Sequence, residues 1–322
     1  MNKPYISVVI PVYNESNNLK PLFSRLTTTL DKLNKPYELI FTNDGSKDNS
    51  SEILESLYKL RPEQVRVIDF SRNFGQHMAV MAGFELSKGE IVVTLDADLQ
   101  NPPEEIPKLI ALAEKGHDLV SGVRLRERKD NWFRRNISIL INKVRALITN
   151  IDMTDHGCML RAYHRDIINL MIAHTEASIF IPALARSYAA NPAEIKVDHD
   201  ARFDGSSKYS LYGLVRLNFD LMTGYSLVPL QIFTLIGFCI SFLSITFVVL
   251  LFIRRLIIGP EVEGVFTLFA ILFFLMGVLL MGLGIMGEYI GRIYKEVQHR
   301  PRFAIKKVLG AKLDEKNTNS WR

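Results

Sequence analysis

Asp96 and Asp98 stand two positions apart in Leu95-Asp96-Ala97-Asp98-Leu99-Gln100, at the end of an apolar run. In a strand-end turn, both carboxylates can reach one hard divalent cation. Mg²⁺ or Mn²⁺ takes oxygen ligands and keeps positions open for phosphate oxygens. Such an ion neutralises charge building on a departing diphosphate. A solvated acidic turn is the plain alternative. The strand before the pair and Pro102-Pro103 after it fix the turn, which favours the metal reading.

Two more motifs follow strand-like runs, Pro11-Val12-Tyr13-Asn14-Glu15 and Asn43-Asp44-Gly45-Ser46. An Asp-Gly pair on its own is turn chemistry. Their shared position with the acidic pair, each just past a strand, raises them: Asp44 can accept the imide hydrogen of a uracil, and Glu15 can contact the nucleoside. Arg124, Arg126, Arg128, Lys129, Arg134 and Arg135 crowd one region, and Arg202 and Lys208 flank Asp204-Gly205-Ser206-Ser207. Charge runs are usually solvated faces. With a phosphate acceptor at a membrane surface, some of these cations become candidates to clamp it. Asp155, in Thr154-Asp155-His156-Gly157-Cys158, is a candidate acceptor-side carboxylate, with a structural turn as the equal alternative.

The elements that would position these residues alternate. Residues 6–12, 37–42, 65–70 and 91–95 read as strands buried on both faces. Residues 18–33, 49–60 and 76–86 have helical apolar spacing, and Pro102-Pro103-Glu104-Glu105 opens a helix running to Ala113. The alternation predicts a mostly parallel, doubly wound, Rossmann-like α/β sheet. Such sheets bind ligands beyond the carboxyl ends of their strands, where the motifs fall.

Of the 322 residues, 48% are hydrophobic, and the excess lies towards the C-terminus. Residues 221–253 and 264–287 carry no charge, and each run exceeds the roughly 20 residues needed to cross a bilayer. Two transmembrane helices are therefore expected. The start lacks the pattern of a secretory signal, and Cys158 and Cys239 sit in unlike settings, which argues against a disulfide. The net charge of +5 points to a membrane surface rather than nucleic acid, because Arg292, Lys295, Arg300, Arg302, Lys306 and Lys307 follow the second run closely. That excess puts both chain ends in the cytoplasm. Residues 131–148 and 209–219 are basic amphipathic stretches suited to lie on the bilayer, with an ordinary solvated helix face as the equal alternative. The boundaries expected are a catalytic domain at 1–208, an interfacial segment at 209–229, two spans with a short loop at 230–290 and a basic tail at 291–322. Gly282-Leu283-Gly284-Ile285-Met286-Gly287 fits the dinucleotide fingerprint, but no strand precedes it; it suits helix packing better.

The stretches Val8-Val9-Ile10-Pro11-Val12-Tyr13-Asn14-Glu15, Asn43-Asp44-Gly45-Ser46 and Leu95-Asp96-Ala97-Asp98-Leu99-Gln100-Asn101-Pro102-Pro103-Glu104 resemble glycosyltransferase family 2, specifically its polyprenyl-phosphate branch. The resemblance covers nearly the whole chain. It implies a GT-A catalytic domain, a divalent metal, and inverting transfer from a UDP-sugar to a polyprenyl phosphate in a bacterial inner membrane. It places Asp96, Asp98 and Gln100 around metal and diphosphate, and Pro11, Tyr13, Glu15 and Asp44 around the nucleoside. Trp132-Phe133-Arg134-Arg135-Asn136-Ile137-Ser138 is similar to the acceptor-phosphate segment of dolichol-phosphate mannose synthases, which nominates Arg134 and Ser138. A homo-tetramer is also implied. Gly75-Gln76-His77-Met78-Ala79-Val80 and Asp155-His156-Gly157-Cys158-Met159-Leu160-Arg161 look most like members that move 4-deoxy-4-formamido-L-arabinose onto undecaprenyl phosphate. Those members serve the decoration of lipid A that gives polymyxin resistance. His156 departs from the tyrosine expected there, so glucosyl, mannosyl and N-acetylhexosaminyl donors stay open. A lipid phosphate is mostly dianionic at pH 7, its second pKa being about 6. A strong general base is therefore dispensable, and Asp155 is expected to position or assist weakly. A polysaccharide synthase would need more spans and a Gln-x-x-Arg-Trp motif, and neither occurs; a non-catalytic scaffold fits poorly with an intact acidic motif.

Overall fold

The computed structural model describes residues 3–124, 154–155, 157–173, 180–200, 228–259, 265–298 and 301–310. The chain divides into two units, residues 1–131, 151–208 and 300–322 forming one and residues 132–150 and 209–299 the other.

The first unit is built on an eight-stranded sheet. Its strands are β1 (Ile6–Val12), β2 (Tyr37–Asn43), β3 (Val65–Phe70), β4 (Ile91–Thr94), β5 (Leu119–Arg124), β6 (Arg161–His164), β7 (Pro192–Val197) and β8 (Ile305–Leu309). They lie in the order β7-β5-β6-β4-β1-β2-β3-β8. Strands β4, β1, β2 and β3 are mutually parallel, as expected. Strand β6 enters antiparallel between β4 and β5, and β8 closes the far edge antiparallel to β3. The sheet is thus GT-A-like and mixed.

Side-chain alternation explains why both faces are covered. Ile6, Val8, Ile10 and Val12 point into one core with Leu39 and Phe41, while Val9, Ile40 and Val92 point into the other. The first core is sealed by α1 (Ser16–Asp31), α2 (Ser50–Leu60) and α4 (Ile106–Ala113) through Leu19, Leu22, Leu26, Leu54 and Leu109. The second is sealed by α3 (Gln76–Leu86), α5 (Arg165–Ala173) and α6 (Ile181–Tyr188). Helices on both faces of a parallel core force the loops after β1, β2 and β4 to the same edge.

Residues 305–309, expected within a basic tail, instead pair with β3. Phe303 is buried just before them and stacks on Phe70 with ring centroids 5.1 Å apart. Strand β8 is short and carries Lys306 and Lys307, so its composition hides it.

The second unit contains α7 (Val228–Ile258) and α8 (Val265–Val297). Two spans were expected. Among the described residues, one helix segment is long and apolar enough to cross a membrane, Ile271–Gly291, with mean hydropathy 2.1 and 6% of its window buried. In α7 the apolar stretch Leu230–Ile240 is shorter, and residues 221–227 of the first expected span lie outside the described residues. Large side chains such as Phe238, Phe242, Phe273 and Leu280 are nonetheless exposed along both helices.

Candidate active site

The exits of β1 and β2 emerge side by side because Val12 and Asn43 are register partners. Their loops are stitched together. Asn14 donates its backbone N–H to Ser46 Oγ at 3.0 Å, and Lys47 donates its own to Asn14 Oδ1 at 2.8 Å. Ser16 N–H donates to Asp48 Oδ2 at 3.0 Å, and Glu15 N–H to Ser50 Oγ at 3.2 Å. Pro11 lies in buried β1, Tyr13 is 40% exposed, and Glu15 accepts from Asn18 Nδ2 at 2.6 Å.

Asp44 is only 2% exposed, and its two carboxylate oxygens are already engaged. Oδ1 accepts the Phe74 N–H at 2.6 Å and Oδ2 the Gly75 N–H at 2.9 Å. Burial raises its pKa while these amides oppose the rise. Asp44, expected to read a uracil, also clamps the turn after β3. That turn needs glycine at 75, where φ is +99°.

The clamped turn delivers the next residue to the acidic pair. Gln76 Nε2 donates to Asp96 Oδ1 at 2.6 Å. Burial first, and the charge of Asp98 second, push the Asp96 carboxyl up to about 7, against the pull of Arg124 and Gln76. Asp98 Oδ1 accepts the Gln100 N–H at 3.1 Å, and Leu99 between them has a left-handed φ of 62°. A leucine in that region costs about 1–2 kcal/mol, a strain the acidic turn holds.

Arg124, at the end of β5, makes a bidentate pair with Asp155: Nε to Oδ2 at 2.7 Å and Nη2 to Oδ1 at 2.8 Å. Both side chains are about 15% exposed or less. Burial alone would raise the Asp155 carboxyl, but Arg124 and the Gly157 N–H hold it down at about 2. A group so acidic, with both oxygens taken, is a poor base near neutrality. Of the two roles expected for Asp155, the geometry favours positioning. Arg124 in turn feels Asp96, which joins the two pairs electrostatically.

The site thus gathers Glu15, Gln76, Asp96, Asp98, Arg124 and Asp155 at one sheet edge. Among the described residues no three His, Cys, Asp or Glu side chains cluster as a complete metal cage. Two crowded carboxylates, one already driven towards neutrality, still suit a hard cation whose remaining ligands come from phosphate and water. Arg134, Ser138, Arg202, Lys208 and His156 lie outside the described residues. The residue missed as a contact is Gln76; its signal was a glycine and a helix start directly after a strand.

The profile of Glycosyl transferase family 2 matches residues 7–170. Undecaprenyl-phosphate 4-deoxy-4-formamido-L-arabinose transferase of Proteus mirabilis is 48% identical over 97% of this chain and 96% of its own. The proteins of that name from Aeromonas hydrophila and Yersinia pestis are each 47% identical, over 94% and 98% of this chain and the same shares of theirs. Among solved structures, Mycobacterium tuberculosis glucosyl-3-phosphoglycerate synthase aligns with TM-score 0.49 at 19% identity, over 68% of this chain and 78% of that one.

Proposed function

Because the chain belongs to glycosyl transferase family 2 and is a glycosyltransferase, we propose that it moves 4-deoxy-4-formamido-L-arabinose from UDP to undecaprenyl phosphate with inversion. The observation that carries the reading is the juxtaposition of the Asp96–Asp98 pair with the Arg124–Asp155 pair, near-full-length relatives of that name supplying the substrates. The product lipid would feed the modification of lipid A that lowers its negative charge.

In this reading a lipid phosphate oxygen attacks the anomeric carbon, the new C–O bond forms, and the bond to the UDP oxygen breaks with its electron pair leaving on UDP. No proton has to move, because the acceptor phosphate arrives mostly as the dianion. A divalent ion held by Asp96 and Asp98, with Gln100 nearby, would supply charge stabilisation for the leaving diphosphate. Gln76 orients Asp96. Arg124, held in place by Asp155, presents its remaining N–H groups as a fixed cation beside the phosphates. Alignment and preorganised charge then carry the rate.

The pairing of β8 with β3 supports the membrane arrangement. A single crossing between residues 209 and 299 would leave β8 on the side opposite its partner strand. An even number of crossings keeps β8 with β3, which supports the reading that α7 and α8 both span; the basic residues after α8 support the cytoplasmic side for the catalytic unit. The deciding experiment offers a panel of UDP-sugars and undecaprenyl phosphate to the detergent-solubilised protein and reads the lipid product by mass spectrometry. A glucosyl or N-acetylhexosaminyl product would overturn the donor, and no lipid product with any sugar would overturn the reaction.

A further inference from the structure

We propose that Arg161 is a positioning residue for the transfer: its buried guanidinium ties the main chain at Asp155 to that at Cys158 and, through Asp155, fixes Arg124 beside Asp96. This rests on the reaction proposed above. Arg161 opens β6, where register sets it against Thr94 of β4 and Ser121 of β5. It is 0% exposed and heads the largest fully buried side chains.

A guanidinium buried this deeply normally meets a carboxylate. Among the described residues its hydrogen-bond acceptors are neutral: Nε donates to Cys158 O at 2.9 Å, Nη1 to Ser121 Oγ at 2.8 Å, and Nη2 to Asp155 O at 2.8 Å. Two of the three are the main-chain carbonyls of Asp155 and Cys158, so the rigid fork of the guanidinium sets the distance between them. From β4, Thr94 Oγ1 donates to Met159 O at 2.5 Å and pins the next residue.

The side chain of Asp155 makes the working pair with Arg124. Gly157 N–H donates to Asp155 Oδ1 at 2.9 Å, and a Cβ at 157 would stand 2.6 Å from Arg124 Nη2. A side chain at 157 would push that guanidinium end aside. The carboxylate of Asp155 is thus aimed by a backbone that Arg161 holds. A neutral side chain could tether a turn at lower desolvation cost than a buried charge. Arg161 uses its fork instead, because donors in one plane reach both carbonyls and the Ser121 hydroxyl at once.

The test is a mutant cycle on the full-length protein with UDP-sugar and undecaprenyl phosphate, using Arg161→Gln, Arg124→Gln and the double variant, each checked for its thermal midpoint. Arg161→Gln should lower kcat by about 100-fold, the scale of a small misplacement of a catalytic group, with donor KM nearly unchanged. Arg161→Lys, which keeps the charge but not the fork, should recover only part of this. The double variant should be no slower than Arg124→Gln alone, because Arg161 acts through Arg124. Losses that multiply in the double variant, or a normal kcat in Arg161→Gln, would overturn the proposal. Should Arg161→Gln fail to fold, Ser121→Ala and Arg161→Lys enter the same cycle under the same criteria. If the wild-type protein transfers no sugar, the reaction itself fails; coupling between Arg161 and Arg124 in the thermal midpoints of the same four proteins then decides whether Arg161 holds Arg124.

Discussion

Gln76 donates its side-chain amide to Asp96 Oδ1 at 2.6 Å, tying the first residue of α3 to the acidic turn after β4. Only an amide serves both the charge and the reach. Gln76→Glu sets a third carboxylate against Asp96 and Asp98, and Gln76→Ala leaves Asp96 free to turn. We expect either change to cost about 10–100-fold in turnover, the usual effect of removing a group that orients a metal ligand. Gln76→Glu should also raise the Mn²⁺ concentration needed for half-maximal rate. Steady-state UDP release across a Mn²⁺ titration checks both. Asp98→Ala, assayed alongside, should lose nearly all turnover, and a near-normal rate there would remove the metal assignment.

Gly75 offers a cleaner separation of backbone strain from crowding. Its φ is +99°, yet a Cβ placed there would meet nothing within 4 Å. Gly75→Ala should therefore cost only the conformational term, about 1–2 kcal/mol, seen as a lower denaturation midpoint. Asp44→Asn exchanges one acceptor oxygen for a donor and leaves the N–H of Phe74 or Gly75 unpaired. That should cost about 1–3 kcal/mol. Both variants should also slow transfer, because the turn they loosen is the one that delivers Gln76.

These relations mark how far the sequence could be read. Strands β1 to β4 were legible because each is a short apolar run buried on both faces, and Asp96 and Asp98 were legible because they end one. The partner of Asp44 was not, since its contact is with backbone amides 30 and 31 positions away and leaves no side-chain signature. Arg161 was hidden among ordinary basic residues, because burial of a cation depends on register between β4, β6 and β5 rather than on spacing. Strand β8 was masked by its lysines. Sequence separation, more than residue type, set the limit.

Asp155 yields a prediction in pH. Its folded pKa of about 2 lies below the ordinary value of about 3.9, so its pairing stabilises the fold above pH 4 and is lost as pH falls through 4 towards 2. The contribution at neutrality is about 2 kcal/mol. Asp155→Asn should be less stable than wild type at pH 7, and the gap should close near pH 2. The shape of the pH–rate profile between pH 6 and 8 should be the same in both proteins, with measurable turnover kept in Asp155→Asn. A limb of the profile that disappears in Asp155→Asn would restore the residue as a base.

Phe303 and β8 connect stability to topology. Phe303 is 2% exposed, stacks on Phe70 with rings 13° from parallel, and the neighbouring Ala304 O accepts the Ser71 N–H at 2.9 Å. Phe303→Ala should destabilise the catalytic unit by about 3–5 kcal/mol, as for a large aromatic removed from a core. Truncation after residue 299 should do so by at least as much. The same pairing keeps residues 305–309 on one side of any membrane with β3. In a Cys239→Ala background, a cysteine at Glu263 in the loop between α7 and α8 should react with a membrane-impermeant maleimide in spheroplasts. A cysteine at Lys306 should react only after permeabilisation. Protection of both positions would mean that the helices do not cross, and reaction of both would mean a single crossing, in which case β8 could not pair with β3.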